Sequence, residues 1–437
     1  MSKSFCASAL AMIVSLAVSL LAAEYILRQY YPVNVGHSLE HRIPHPVFGW
    51  VLEPDAEFVH YMPNEGKVEV KYNSRGWRDV EHDIDNPNAV YRVLVLGDSY
   101  MEAYSVSLED AFHRHLGRLA DADGVNIEVI NLGVGGMGTL QELLLFQEIG
   151  VRYKPDLVLL GMYLGNDLRN NSFELESILG SNYQKSNTRP FLISTSDSGW
   201  EIMRVDYEGA KKRFEAAKAR EVPLSQTIIS RSALLTALVP AIRRVHWKLT
   251  SANSAPVPVA ESSTATGITQ KDQMETATLE AEKALLQKRQ RQIATLGPNY
   301  CEEPAQITRA WDTTRSILGR LKTEVESVGA GLVVFTVPSI TDVHPDISGE
   351  IEDPELLCLD DPPSHHRAIN VLHSLDIERL NLLPVFRDAI NGKNVALFRR
   401  NDRHWNEAGH EIAASAVYES LKSSSSLSFP AGAAMAN

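Results

Sequence analysis

Apolar and polar positions follow two different periods along this chain, and they predict strands and helices in turn. Four short runs are rich in apolar and β-branched residues, as expected of buried strands, and they span residues 90–96, 126–131, 156–162 and 331–337. Three longer segments have the pattern of amphipathic helices and span residues 108–121, 139–151 and 305–328. This alternation predicts an α/β fold with a parallel sheet covered by helices.

The carboxyl-terminal part of the pattern predicts one more strand, near 395–398, and a closing helix. Asn406 is a suitable helix N-cap, and apolar residues from Ile412 to Leu421 fall on one face of the helix that follows it. We expect residues 423–437 to form a disordered tail.

The two parts of the α/β pattern, 90–171 and 303–422, are separated by a segment without a clear period. This segment, 172–302, predicts a large insertion that is mostly helical or disordered, and residues 251–270 have the Ser, Thr, Ala and Pro composition of a flexible stretch. Residues 29–89 are rich in Pro, Asn and Gly and predict an N-terminal arm of short strands packed on the main domain.

The N-terminal residues 5–23 contain no charged side chain. As a helix they would be about 28 Å long, close to the hydrocarbon thickness of a bilayer. Lys3 precedes them, and this predicts a single-pass transmembrane anchor over 1–28 with the bulk of the chain extracytoplasmic, periplasmic in a bacterium. A cleaved signal peptide is an alternative, because small residues at Ala22 and Ala23 suit cleavage, and a buried core helix is another.

Composition narrows the classes of partner. The net charge of −13 over 437 residues argues against nucleic acid, which needs a basic surface. No Cys-x-x-Cys pair or cluster of histidines suggests a metal site, and we expect no cofactor. Cys301 and Cys358 both lie in the exported part, where they either pair in an oxidising compartment or stay free.

The strand at 90–96 runs directly into Gly97, Asp98 and Ser99. A residue at such a strand-to-helix turn lies at the carboxyl edge of the sheet, where open α/β folds bind their ligands. A serine there suits a nucleophile, provided that the chain supplies a base and a carboxylate to orient that base.

His404 is the candidate base. It follows the predicted last strand and precedes the closing helix, so its loop opens on the same edge of the sheet as Ser99. Asp402 precedes it by two residues, and in an extended chain such side chains point the same way, which suits an orienting carboxylate. The alternative is a surface loop with a solvated aspartate and a partly buried histidine.

Two further loops predict donors for an oxyanion hole. A loop with four glycines, 133–138, follows the second strand, and Asn166 follows the third. Backbone N–H groups of the glycines, the side-chain NH2 of Asn166 and the N–H of Ser99 are suited to binding a developing oxyanion. Residues 133–138 also satisfy G-x-G-x-x-G, the dinucleotide fingerprint. They follow the second strand rather than the first, and the third strand ends without an acidic residue, so we expect no nucleotide.

Taken together, these four blocks resemble the SGNH/GDSL hydrolases. The resemblance implies a flavodoxin-like three-layer sandwich and hydrolysis or transfer of ester-linked acyl groups. By position it implies Ser99 as nucleophile, His404 as base, Asp402 as its orienting residue, and an oxyanion hole of the Ser99 and Gly136 amides with the Asn166 side chain. The family's usual aspartate, three residues before the histidine, is Asn401 here; the Asp-x-His spacing instead resembles alginate O-acetylation proteins.

The sequence therefore predicts a membrane-anchored, extracytoplasmic serine esterase that cleaves ester-linked acyl groups, acetyl above all, with carbohydrate as one candidate class of acylated substrate. Two alternatives stay open. The same residues suit an O-acyltransferase that modifies an exported polysaccharide, and the fold alone suits a carbohydrate-binding protein without catalysis.

Overall fold

The protein is described from a computed structural model. The structure describes residues 3–30, 35–36, 38–62, 65–178, 189–194, 200–203, 206–219, 297–344, 354–393, 395–424 and 429–430, with scattered positions between 232 and 294. The predicted flexible stretch at 251–270 lies outside these residues.

The described elements follow the chain in this order. The strands are β1 Val35–Gly36, β2 Arg42–His45, β3 Gly49–Leu52, β4 Glu57–Met62, β5 Gly66–Lys71, β6 Tyr91–Gly97, β7 Ile127–Asn131, β8 Leu157–Tyr163, β9 Phe191–Ser194, β10 Trp200–Met203, β11 Gly331–Val337 and β12 Glu378–Asn381. The helices are α1 Lys3–Tyr30, α2 Ser99–Glu102, α3 Phe112–Ala122, α4 Thr139–Glu148, α5 Asp167–Asn171, α6 Phe173–Ile178, α7 Tyr207–Lys218, α8 Ala305–Ser327, α9 Ile340–Val343, α10 Pro363–Ser374, α11 Leu382–Lys393 and α12 Glu407–Ser423.

Five parallel strands form the central sheet, in the order β7-β6-β8-β11-β12. Counted along the chain within the sheet, this is the order 2-1-3-4-5, which flavodoxin-like folds share. The predicted α/β class with a parallel central sheet is confirmed. Because all five strands run the same way, their carboxyl ends meet at one edge.

Successive residues of each strand face two different apolar layers. Val93 and Val95 of β6 pack in a buried cluster with residues of α3 and α12, whereas Leu94 and Leu96 pack in a second cluster with residues of α4 and α8. Side chains of a strand alternate between its two faces, so strands rich in apolar residues throughout hold helices on both sides. The result is three layers, with the sheet in the middle.

The predicted strand near 395–398 is wrong. Residues 395–397 form no strand, and Phe398 makes only an isolated bridge to Trp405. The fifth strand is β12, whose four residues are half-buried at the edge of the sheet and carry no apolar run that a sequence pattern detects. Leu397 and Phe398 are apolar because their loop packs into the core beneath α11 and α12.

The N-terminal arm packs on the α/β domain through two antiparallel pairs, β2–β3 and β4–β5. Trp50, Tyr72 and Trp77 are buried in the same apolar cluster as α4 and α8. At the end of the arm, the buried carboxylate of Asp79 accepts the backbone N–H of Asn131 at 2.8 Å and contacts His113 Nε2 at 3.2 Å. The arm is therefore part of the core of the domain.

The N-terminal segment is helical, as α1. Among the helices that the structure describes, none combines the length and the apolar character needed to cross a membrane, so the predicted anchor over 1–28 is not supported.

In the insertion, the described residues include the antiparallel hairpin β9–β10, which the sequence did not predict. In the tail, Phe429 is buried against Tyr91 and Tyr418, contrary to the expected disorder, while 425–428 and 431–437 lie outside the described residues.

Cys301 and Cys358 form a disulfide, which closes the pairing that the sequence left open. The bond links the residues just before α8 to the residues just before α10.

Removing this disulfide should destabilise the domain. The bridge closes a loop with a sequence separation of 57 residues, and a native disulfide contributes about 2–5 kcal/mol to the free energy of unfolding. We expect the double variant Cys301→Ser with Cys358→Ser to lose this amount in urea unfolding. A reducing agent should cause the same loss in the wild type and no further loss in the variant; equal stability of the two proteins would contradict the contribution.

Candidate active site

The turn between β6 and α2 presents Ser99 at the carboxyl edge of the sheet. Gly97 has φ 152°, and a Cβ there would lie 2.4 Å from Met101 Cγ, so the tight turn requires glycine. Asp98 then caps α2, because its Oδ1 accepts the backbone N–H of Tyr100 at 3.0 Å. These two contacts hold Ser99 as the first residue of the helix.

His404 and Asp402 reach Ser99 from the other end of the sequence. Ser99 Oγ lies 2.7 Å from His404 Nε2, and His404 Nδ1 lies 3.1 Å from Asp402 Oδ2. With its proton on Nδ1, the imidazole donates to the carboxylate and accepts the hydroxyl proton of Ser99. The three side chains thus form a continuous hydrogen-bonded relay.

The loop reaches this geometry by a turn rather than by the extended chain that the sequence argument assumed. Arg403, between the two residues, has φ 67°, in the left-handed region. Hydrogen bonds hold the turn: Arg399 N–H donates to the carbonyl of His404 at 2.7 Å, and Arg403 N–H donates to that of Arg399 at 2.9 Å. Trp405 is fully buried, and this anchors the histidine to the core.

The surroundings of His404 favour its charged form. Burial lowers the pKa of an imidazole, but here the hydrogen bond and the negative charge of Asp402, with the charge of Asp98, outweigh that effect. The pKa of His404 therefore lies above its usual value of 6.5. The rings of Tyr100 and Tyr104 lie 5.0 and 5.1 Å from the imidazole and enclose it.

The glycine loop after β7 approaches Ser99 closely. Gly136 has φ 71°, in a turn closed by the hydrogen bond from Met137 N–H to the carbonyl of Val134 at 3.1 Å. A Cβ built on Gly135 would lie 3.4 Å from Ser99 Cβ. The loop thus lies so close to the nucleophile that a side chain at position 135 would contact Ser99.

The structure brings Asn166 to the same place, where one proton of its side-chain amide already has a partner. Asn166 Nδ2 donates to Asp98 Oδ2 at 2.9 Å. That carboxylate oxygen also lies 3.5 Å from Ser99 Oγ. One amide proton of Asn166 therefore binds the residue next to the nucleophile, and its role as a donor to an oxyanion stays a prediction.

Three charged residues at the site were not found from the sequence. Glu102 accepts the backbone N–H of Gly135 at 2.6 Å and the hydroxyl of Tyr72 at 2.7 Å. Arg42 comes from the N-terminal arm, and Arg189 comes from the insertion and donates to the carbonyl of Gly136 at 3.0 Å. Neither arginine has a motif around it, because only tertiary packing brings these segments to the loop. Within the described ranges, no group of three His, Cys, Asp or Glu side chains is placed to hold a metal ion.

A comparison with protein families supports this picture. Residues 300–435 match the model of the SGNH hydrolase-like domain of the acetyltransferase AlgX. The predicted resemblance to the SGNH hydrolases is confirmed. The match includes Asp402 and His404. It does not include Ser99, which lies in the first half of the chain, before the match begins. No curated protein matches this chain.

Several solved structures align with this chain, among them three esterases. The acetyl xylan esterase AlAXEase has 11% identity and a TM-score of 0.35, over 76% of this chain and 99% of its own. A catalytic mutant of Axe2, an acetylxylan esterase from Geobacillus stearothermophilus, has 11% identity and a TM-score of 0.34, over 76% and 93%. The two-domain esterase CEX, active on acetylated mannans, has 8% identity and a TM-score of 0.34. The alignment covers 76% of this chain and 48% of CEX. At these TM-scores the likeness supports no statement about function.

Asp402 and Asn401 should differ sharply on mutation. Asp402→Ala removes the carboxylate bound to His404 Nδ1, and we expect kcat to fall about 10²–10⁴-fold in hydrolysis of a model acetyl ester. Asn401 is exposed and its backbone N–H, which Asn401→Ala retains, donates to Glu65, so this matched variant should keep kcat within a factor of a few. The reverse ranking would assign the orienting role to Asn401.

The pH dependence should report the raised pKa of His404. The base must be neutral to accept a proton, and a raised pKa means that the neutral form is lost as pH falls through a value above 6.5. We expect kcat/KM to decline on the acid side with a midpoint above 6.5. Asp402→Asn removes the charge that raises this pKa, so the midpoint of its residual activity should move to lower pH. A midpoint that Asp402→Asn leaves in place would show that another group titrates.

Proposed function

We propose that this protein is an SGNH-type serine esterase that cleaves ester-linked acyl groups, acetyl above all, through an acyl-enzyme on Ser99. The observation that carries the proposal is the relay from Ser99 Oγ to His404 Nε2 at 2.7 Å and from His404 Nδ1 to Asp402 at 3.1 Å. A nucleophile, a base within hydrogen-bond reach and a group that orients the base are the parts that acyl transfer needs.

The first step forms the acyl-enzyme. Ser99 Oγ attacks the ester carbonyl carbon, its proton moves to His404 Nε2, and the carbonyl electron pair moves onto the oxygen. Asp402 stabilises the imidazolium that results. Collapse of the tetrahedral intermediate breaks the ester bond, and His404 gives its proton to the departing alkoxide.

The second step decides between hydrolysis and transfer. Water, deprotonated by His404, attacks the acyl-enzyme and releases a carboxylic acid; a sugar hydroxyl in its place gives an acylated product. The match of residues 300–435 to an acetyltransferase domain supports acetyl transfer as the second candidate function, and we propose a carbohydrate hydroxyl as the acceptor. A binding protein without catalysis is disfavoured, because such a role needs no aligned serine, histidine and aspartate.

We also propose that the catalytic domain works outside the cytoplasm. The disulfide Cys301–Cys358 supports this, since such bonds persist in oxidising compartments. Apolar side chains of α1, among them Met12, Leu16 and Leu21, are exposed. A contiguous exposed apolar surface favours contact with a membrane or another apolar surface, and the membrane anchor stays a prediction from the sequence.

Ser99 should be labelled covalently by a fluorophosphonate, which reacts with activated serines. We expect one label on the protein, located at Ser99 by peptide mass spectrometry, and none on Ser99→Ala, which should also lose hydrolysis of a model acetyl ester. Ser105, whose hydroxyl is buried against the carbonyl of Trp405, provides the matched control, because Ser105→Ala should keep both labelling and hydrolysis. Ester hydrolysis that survives Ser99→Ala would exclude this function.

The same protein, with a candidate glycan acceptor added, distinguishes the two reactions. Free acetate as the main product supports hydrolysis, whereas acetyl groups on the acceptor support transfer.

A further inference from the structure

The guanidinium of Arg42 lies over the glycine loop, beside the nucleophile. A Cβ built on Gly135 would be 2.6 Å from Arg42 Nη2 and 3.4 Å from Ser99 Cβ. A Cβ built on Gly136 would be 3.3 Å from Arg42 Nη1. The guanidinium of Arg42 therefore lies close both to Ser99 and to the glycine loop.

Arg42 has unused donors. Its Nε and Nη1 are buried and have no hydrogen-bond partner among the described residues. An arginine keeps its charge in a protein, and a buried charge is costly unless an anion or acceptor compensates it. The negative groups that face Arg42 are Glu102 and Asp98, with the hydroxyls of Tyr72 and Tyr104 nearby.

Two segments outside the α/β pattern hold this cation in place. The guanidinium of Arg42 lies 5.5 Å from the Trp50 ring, and that of Arg189 lies 5.1 Å from the same ring. Arg189 also fixes the loop, because it donates to the carbonyl of Gly136 at 3.0 Å and to Gln141 Oε1 at 2.6 Å. The position of Arg42 relative to the loop is thus set by well-packed neighbours.

We propose that Arg42 is a donor to the oxyanion that forms when Ser99 attacks an ester. This inference rests on the proposed function. Asn166, the expected side-chain donor, commits one of its two amide protons to Asp98, and Arg42 supplies a charged donor beside Ser99 and the glycine loop. When the Ser99 Oγ–carbon bond forms and the carbonyl electron pair moves onto oxygen, the new negative charge meets the guanidinium. A preorganised donor of this kind stabilises the transition state more than the neutral ester.

The test uses the full chain and a neutral model acetyl ester, which has no acidic group for Arg42 to bind. Arg42→Ala should lower kcat about 10²–10³-fold with little change in KM, since the lost interaction belongs to the transition state. Guanidinium chloride, at concentrations far below those that unfold the protein, should restore part of kcat by occupying the space left. Arg42→Met fills that space without a charge, so its kcat should fall equally and guanidinium should not restore it.

The control is Lys71→Ala, which removes an exposed cation from the same arm. It should keep the wild-type kcat and show no response to guanidinium. A merely structural role for Arg42 predicts that Met, the better volume match, retains more activity than Ala, and that guanidinium rescues neither.

Three results would overturn the inference: an unchanged kcat for Arg42→Ala on the neutral ester, a loss confined to acidic substrates, or the structural ranking of Met and Ala. If both variants fail to fold, as judged by thermal unfolding, Arg42→Gln decides. A folded Arg42→Gln with wild-type kcat also overturns the inference, because its side chain carries no positive charge. Ser99→Ala is measured in parallel, and activity that survives it rejects the proposed function independently of Arg42.

Discussion

The hydrogen bond between Ser99 and His404 joins residues 305 positions apart, and the organisation of the domain follows from it. One partner lies at the end of β6, an interior strand of the sheet, and the other lies in the loop between α11 and α12. This second loop follows a helix rather than a strand, and it reaches the carboxyl edge of the sheet because Leu397, Phe398 and Trp405 pack into the core. A relay with a 2.7 Å contact also requires that both loops be rigid. Gly97 and the Asp98 cap provide this on one side, and the buried Trp405 with the hydrogen bonds of Arg399 and Arg403 provides it on the other.

Charges buried around this relay distinguish the site from a plain serine–histidine pair. The carboxylate of Glu102 accepts a hydrogen bond from the N–H of Gly135 in the glycine loop, and the guanidinium of Arg189 donates one to the carbonyl of Gly136. A low-dielectric setting strengthens each of these interactions and makes any unpaired charge costly. The loop is therefore fixed by groups of both signs that come from two separate segments, α2 and the insertion. The N-terminal arm and the insertion lie outside the α/β pattern of the sequence, yet through Arg42 and Arg189 they line the active site.

Local patterns carried much of the prediction. The runs at 90–96 and 331–337 correspond to β6 and β11, and Asn406 caps α12 through a 3.0 Å bond to the N–H of Gly409. These features depend on side chains within a few residues of one another, so a sequence displays them directly. The sequence did not predict β12, because an edge strand needs no apolar run. The apolar residues at 395–398 were misassigned to a strand, because a loop buried in the core has a similar composition.

The sequence by itself determined which residues were candidates for the chemistry: Ser99 after a buried strand, Asp402 and His404 before the closing helix, and glycines in the loop between. It determined them because period, turn chemistry and spacing are local properties. Only the tertiary structure decided that Asp402 reaches His404 through a left-handed turn at Arg403, that Asn166 binds Asp98, and that Arg42 and Arg189 stand at the glycine loop. These are contacts between distant segments, and they depend on how surfaces of the arm, the insertion and the sheet fit together once the chain is folded.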